Sequence, residues 1–92
     1  GTWSAINEKY KYTGGDQDEN HNTLLCKHFS GYNAKNNFIY STQDKAIIID
    51  GLDSYVVINS EKGLLICPRS NVQFIKTYVS DLKLQKNGEK YC

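Results

Sequence analysis

Ninety-two residues, 39% of them hydrophobic and 23% charged, bound the chain to one small domain or a part of something larger. A net charge of +1, with Arg69 the only arginine, gives no electrostatic case for nucleic acid or a membrane surface and few means of clamping phosphate in a bidentate way. No apolar run approaches a membrane span, and Cys26, Cys67 and Cys92 are odd in number and widely spaced, which fits reduced thiols in a cytoplasm better than a disulfide framework.

In chain order, Trp3, Ile6 and Tyr10 fall at i, i+3 and i+7 and predict a short helix with Thr2 as its N-cap, inside a unit covering residues 1–12. Residues 13–22 (TGGDQDENHN) predict a flexible polar loop, whose acids are too irregular for a calcium loop. Residues 23–92 then form a β-rich domain. Its first strands are expected at Thr23–Phe29 and Asn37–Thr42, around a turn-rich Ser30–Asn36. Three apolar runs follow at Ala46–Ile49, Tyr55–Ile58 and Leu64–Cys67, beginning nine residues apart and each closed by a turn cluster. Such spacing suits strand–turn–strand repetition and is too short for helices. Cys67, inside the third run, reads as a small core residue. After Pro68 the period changes: Val72, Ile75, Val79 and Leu82 predict an amphipathic closing helix over 70–82 with Ser70 as N-cap, followed by a polar tail. The fold expected is mainly β, about five short strands between an N-terminal and a C-terminal helix.

Chemistry is hard to find. Gly14-Gly15 is followed by acids where a phosphate loop would start a helix, so the pair reads as a hinge. His21, Cys26 and His28 lack the second pair of ligands that a zinc site requires. Asp50 and Asp53 flank Gly51-Leu52, where aspartate is favoured for capping its own backbone. No serine, cysteine or lysine has an evident activating base close in sequence. The chain is expected to contribute no catalytic residue, no metal ligand and no cofactor site of its own.

Three blocks carry a resemblance. Gly1-Thr2-Trp3-Ser4-Ala5 resembles the end of the catalytic domain of bacterial sugar-nucleotide pyrophosphorylases, especially mannose-1-phosphate guanylyltransferases. Gly51-Leu52-Asp53-Ser54-Tyr55-Val56-Val57-Ile58, with Gly63-Leu64-Leu65-Ile66-Cys67 after it, is similar to the paired C-terminal strands of that family. Phe74-Ile75-Lys76 through Asp81-Leu82, and Gly88-Glu89-Lys90-Tyr91, resemble its closing helix and ending. The chain departs from the family at Asn59-Ser60-Glu61-Lys62-Gly63, where an acidic turn is usual, and it lacks the glycine-rich nucleotide loop.

The resemblance implies a C-terminal domain shaped as a short β-roll or left-handed β-helix-like stack. It also implies a cytoplasmic parent enzyme that joins GTP and mannose 1-phosphate into GDP-mannose and pyrophosphate with Mg²⁺. Trp3 would lie near the sugar-nucleotide site. The implied partners are the parent's catalytic domain, upstream of Gly1, and a second subunit; nucleic acid and membrane are not among them. A short stack of strands has exposed edges that need covering, so dimerisation partly through Ala46–Cys67 is expected, with Ile48, Tyr55, Val57 and Leu65 as interface residues. Two alternatives stand beside this: a self-standing β-rich interaction module, and a domain of another sugar-1-phosphate nucleotidyltransferase.

Overall fold

The computed structural model describes residues 16–92. Trp3, Ile6, Tyr10 and the glycine pair Gly14-Gly15 lie outside the described residues. Among the described residues, seven strands form two sheets: β1 (Asp16–Gln17), β2 (Thr23–Leu25), β3 (His28–Tyr32), β4 (Phe38–Ser41), β5 (Ala46–Asp50), β6 (Tyr55–Asn59) and β7 (Leu64–Pro68). The larger sheet has the order β1-β2-β4-β6-β7, and the smaller one is the pair β3-β5. Strands β2, β4 and β6 run parallel to one another, as do β3 and β5, so from β2 to β6 the chain passes alternately between the two sheets. At the ends, β1 joins β2 and β7 joins β6 in antiparallel fashion. The mainly β character is as expected, with seven strands in place of about five.

Side-chain alternation divides the interior in two. Phe38, Val56, Ile58, Cys67 and Ile75 form one cluster, between the larger sheet and the C-terminal helix. Ala34, Ile39, Ile49 and Val57 form the other, between the two sheets. The middle of the larger sheet, β4 and β6, is therefore buried on both faces, which explains why these two strands read as continuous apolar runs rather than as alternating ones.

Two strand boundaries differ from expectation. The run Thr23–Phe29 is broken at Cys26-Lys27, because it serves both interiors: Leu25 packs on the first cluster, and Leu24, Cys26 and Phe29 on the second. Ser30–Tyr32, expected in a turn, continue β3, because Ile48–Asp50 of β5 supply their partners. Pairing outweighs weak local propensity here.

The closing helix is present but starts differently. Arg69–Phe74 is wound as a 3-10 helix, and helix α1 covers Ile75–Leu84. Ser70 makes no capping bond; Pro68 precedes the first turn. The three-residue period of the 3-10 turn places Val72 and Ile75 on one line, and the α-helical period adds Val79, so the expected apolar stripe reaches the first interior. A last 3-10 turn, Gly88–Tyr91, folds back on α1, with the Cys92 thiol 3.7 Å from the Val79 carbonyl oxygen.

Candidate functional site

Two constructions stand out among the described residues. The first holds the coil together. Asn22 and Asn37 are fully buried just before β2 and β4, at matching positions of successive turns. The Asn22 side chain donates to the Ala34 carbonyl (2.7 Å) and accepts from the Asn37 backbone N–H (2.9 Å). Asn37 repeats both bonds one level on, donating to the Leu52 carbonyl (3.0 Å) and accepting from the Tyr55 N–H (2.8 Å). Each amide thus fastens one turn of chain to the next through backbone groups that would otherwise be orphaned in the interior. The residue before each level, His21, Asn36 or Ser54, is left-handed, with φ of 63°, 58° and 64°.

Asp18 caps this column. Its carboxylate accepts the Asn22 side-chain amide (2.9 Å) and the backbone N–H groups of Asn20 and Asn22 (3.0 and 2.9 Å). Partial burial pushes its pKa up, but those three donors together with nearby His21 outweigh burial and hold it below the ordinary value. Residues 13–22, expected to be a loose loop, therefore contain strand β1, an aspartate cap and a buried asparagine. Sequence reasoning missed the column. Its signal was an Asn immediately before each of two apolar runs, fifteen positions apart.

The second construction is an unfinished edge. The smaller sheet stops at β5, while the larger one continues past β6 to β7. One strand of the larger sheet therefore projects beyond its cover. Leu64 and Ile66, on the face of β7 turned toward the smaller sheet's layer, remain 61% and 53% exposed. A cleft of about 280 Å³ occupies the step, lined by Ala46–Ile49 of β5 and by Val57, Leu64 and Ile66. On the other face of β7, a groove of about 660 Å³ runs between Leu64–Pro68 and Tyr78, Val79 and Leu82 of α1, with Lys62 and Tyr91 also in its lining.

The residues expected at an interface divide by burial. Ile48 is 71% exposed on the outer side of β5. Tyr55 and Leu65 are half-buried, and Leu65 packs against the first interior. Val57 is 4% exposed, inside the second interior, and reaches the surface only as the floor of the cleft. Leu64 and Ile66, adjacent in sequence to one expected residue, are more exposed than three of the four.

The remaining candidates are structural. Asp53 accepts from the Ser54 hydroxyl (2.8 Å) and the Asn36 amide (3.3 Å), and those bonds lower its pKa. The aspartate thus caps a turn, as its sequence context suggests. Burial raises the pKa of the Cys26 and Cys67 thiols, which disfavours the reactive thiolate. All three cysteines are free, and no group of three or more His, Cys, Asp or Glu among the described residues is arranged to hold a metal ion. No helix among the described residues is long and apolar enough to cross a membrane.

No protein-family profile matches the chain. One curated protein does. Mannose-1-phosphate guanylyltransferase 2 of Escherichia coli O157:H7 is 34% identical over 58 residues, which cover 63% of this chain and 12% of that protein's length. Over that stretch the chain is similar to a guanylyltransferase, which is consistent with a domain of a nucleotidyltransferase.

Proposed function

We propose that the chain is a non-catalytic C-terminal domain of a mannose-1-phosphate guanylyltransferase, and that its work is to pack on the catalytic domain and join subunits. The similarity over 58 residues supports the relation to a guanylyltransferase, and the place of the chain at the C-terminal end rests on the resemblance of its strand and closing-helix blocks. The exposed apolar edge at Ile48, Leu64 and Ile66 carries the second, because contiguous apolar surface on a small domain marks a contact site. In this reading residues 1–12 end the nucleotidyltransferase domain or connect to it, and residues 23–92 form the joining domain. The parent enzyme would act in the cytoplasm on GTP and mannose 1-phosphate with Mg²⁺, and Trp3 would lie near its sugar-nucleotide site.

The test has two arms. The protein carrying this chain behind a catalytic domain is assayed for GDP-mannose formation from GTP and mannose 1-phosphate, with other nucleoside triphosphates and sugar 1-phosphates in parallel. A preference for another pair would move the parent to a sister enzyme. The chain alone is heated with and without Mg²⁺-GTP. No rise in melting temperature is expected, since a ligand that binds only the native state must raise it; a clear rise would place nucleotide binding in this domain.

A further inference from the structure

Strands β2, β4 and β6 place Leu24, Ile39 and Val57 at one position of successive levels. Ile39 is fully buried and Val57 is 4% exposed, whereas Leu24 is only half-buried. All three belong to the interior between the two sheets, so the difference lies in what stands over them. Over the first level, β1 covers β2 with two residues, and among the described residues no strand pairs with the outer edge of β3. Cys26 and Phe29, which complete that level, are half-buried too, and every other residue of β3 is exposed. The second interior is therefore open at the β3 end of the coil, and the apolar end of a strand stack needs a cover.

The course of the chain limits what that cover is. β1 is antiparallel to β2, with Asp16 opposite Leu24, so the chain enters the fold on the side where β2 leaves it, toward Cys26. In the function proposed above, residues 1–12 end the nucleotidyltransferase domain or connect to it. Residues 13–15 then bridge the gap from residue 12 to Asp16, which full extension limits to about 13–14 Å. The larger sheet, with β1 at one edge and β7 at the other, is itself about 19 Å wide at the usual strand spacing. A body tethered that closely to Asp16 is held at the β1 end of the coil.

From this we infer that the parent's catalytic domain seats on the first end of the coil, covering Leu24, Cys26, Phe29 and the free edge of β3. The seat presupposes the relation to a guanylyltransferase proposed above and names the surface that serves it. Three half-buried apolar side chains and one five-residue strand edge make a small contact. A small contact suffices for a tethered neighbour, because a short link holds the two surfaces at an effective concentration on the order of millimolar. The exposed His28, Ser30 and Tyr32 beside the patch give it the polar rim usual between domains of one chain. The coil then stands as a spacer, with the catalytic domain at β1 and β3 and the edge of β5 and β7 left clear.

Cross-linking the protein that carries this chain behind its catalytic domain, with a short amine-reactive reagent, tests the seat. Lys27 follows Cys26 at the first end, whereas Lys83 and Lys86 flank the end of α1 beside β7. Thiol alkylation with peptide mapping gives a second reading, with Cys92, whose thiol lies against α1, as the internal control. Lys27 should cross-link to residues upstream of Gly1. Cys26 should alkylate at least tenfold more slowly behind the catalytic domain than in the chain alone, with the Cys92 rate unchanged. Cross-links to the catalytic domain from Lys83 and Lys86 with none from Lys27, or equal Cys26 rates in the two proteins, overturn the seat. GDP-mannose formation is assayed on the same sample, and its absence with the Lys27 cross-links present overturns the proposed parent while supporting the seat.

Discussion

Asn22→Ala removes three hydrogen bonds from a fully buried amide. The Ala34 carbonyl and the Asn37 N–H lose these partners at once, in a place where alanine leaves no polar replacement. An unsatisfied buried group costs about 1–3 kcal/mol, so two of them cost about 2–6 kcal/mol. A domain of this size is stable by only about 5–15 kcal/mol, and each kilocalorie moves its melting temperature by about 4–8 °C. A midpoint of about 4 kcal/mol therefore lowers the melting temperature by about 15–30 °C. Urea denaturation followed by circular dichroism measures it, with the exposed Asn20→Ala as a control expected to change stability by less than about 0.5 kcal/mol. Asn22→Asp separates the two halves of the role. It keeps the acceptor for the Asn37 N–H, loses the donor to Ala34, and sets a second carboxylate beside Asp18, so it should be less stable at pH 7 than at pH 5. If Asn22→Ala unfolds within about 0.5 kcal/mol of the wild type, the amide column does not hold the turns together and the account of the coil fails.

Acidification should weaken the fold through Asp18. Its carboxyl is held below the ordinary value, so its contribution is present in full above about pH 4 and is lost as pH falls through the native pKa. The wild type should lose more melting temperature between pH 5 and pH 3 than Asp18→Asn does; parallel curves would remove Asp18 from the column. Gly88→Ala should loosen the C-terminal turn, because a Cβ there collides with the Leu82 carbonyl. Overpacking of this kind costs about 1–3 kcal/mol, and faster amide exchange at the end of α1, with Asn22 and Asn37 unaffected, is the local signature. The Cys67 thiol, buried and with a raised pKa, should resist iodoacetamide in native buffer at pH 7 and react in urea; prompt native labelling would mean that β7 opens readily.

What was legible in the sequence was whatever a short window contains. The runs at Ala46, Tyr55 and Leu64 became β5, β6 and β7 within a residue, since each carries β-branched or aromatic residues between strong turn signals. The stripe Val72, Ile75, Val79 and Leu82 marked the closing helix, although its first six residues wind more tightly than the period implied. The pairing was not legible. Partners lie fifteen or eighteen residues apart, Thr23 on Phe38 and Phe38 on Val56, and unequal spacing hides a repeat. The asparagine column was hidden for a related reason: a polar residue before a strand reads as a turn, and only the stacked arrangement buries it. At the edge, Ile48, one of the residues expected at an interface, is exposed. The exposure of Leu64 and Ile66 was not legible, because nothing local says that the smaller sheet ends one strand early.

The unequal spacing has its own consequence. Between positions equivalent in register, the chain advances ten residues from β3 to β4, His28 to Phe38, and ten again from β5 to β6, Ala46 to Val56. The opposite bend differs: Thr23 to His28 takes five positions, and Phe38 to Ala46 takes eight. The extra length sits at Thr42–Lys45, on the side away from the amide column. One bend is thus a fixed ruler and the other an expansion joint. Loops grafted between Ser41 and Ala46 should leave the register untouched, whereas a single residue added between Tyr32 and Asn37 would shift every level above it. The molecule carries a built-in insertion point, and cargo placed there would ride on a frame that does not have to adjust.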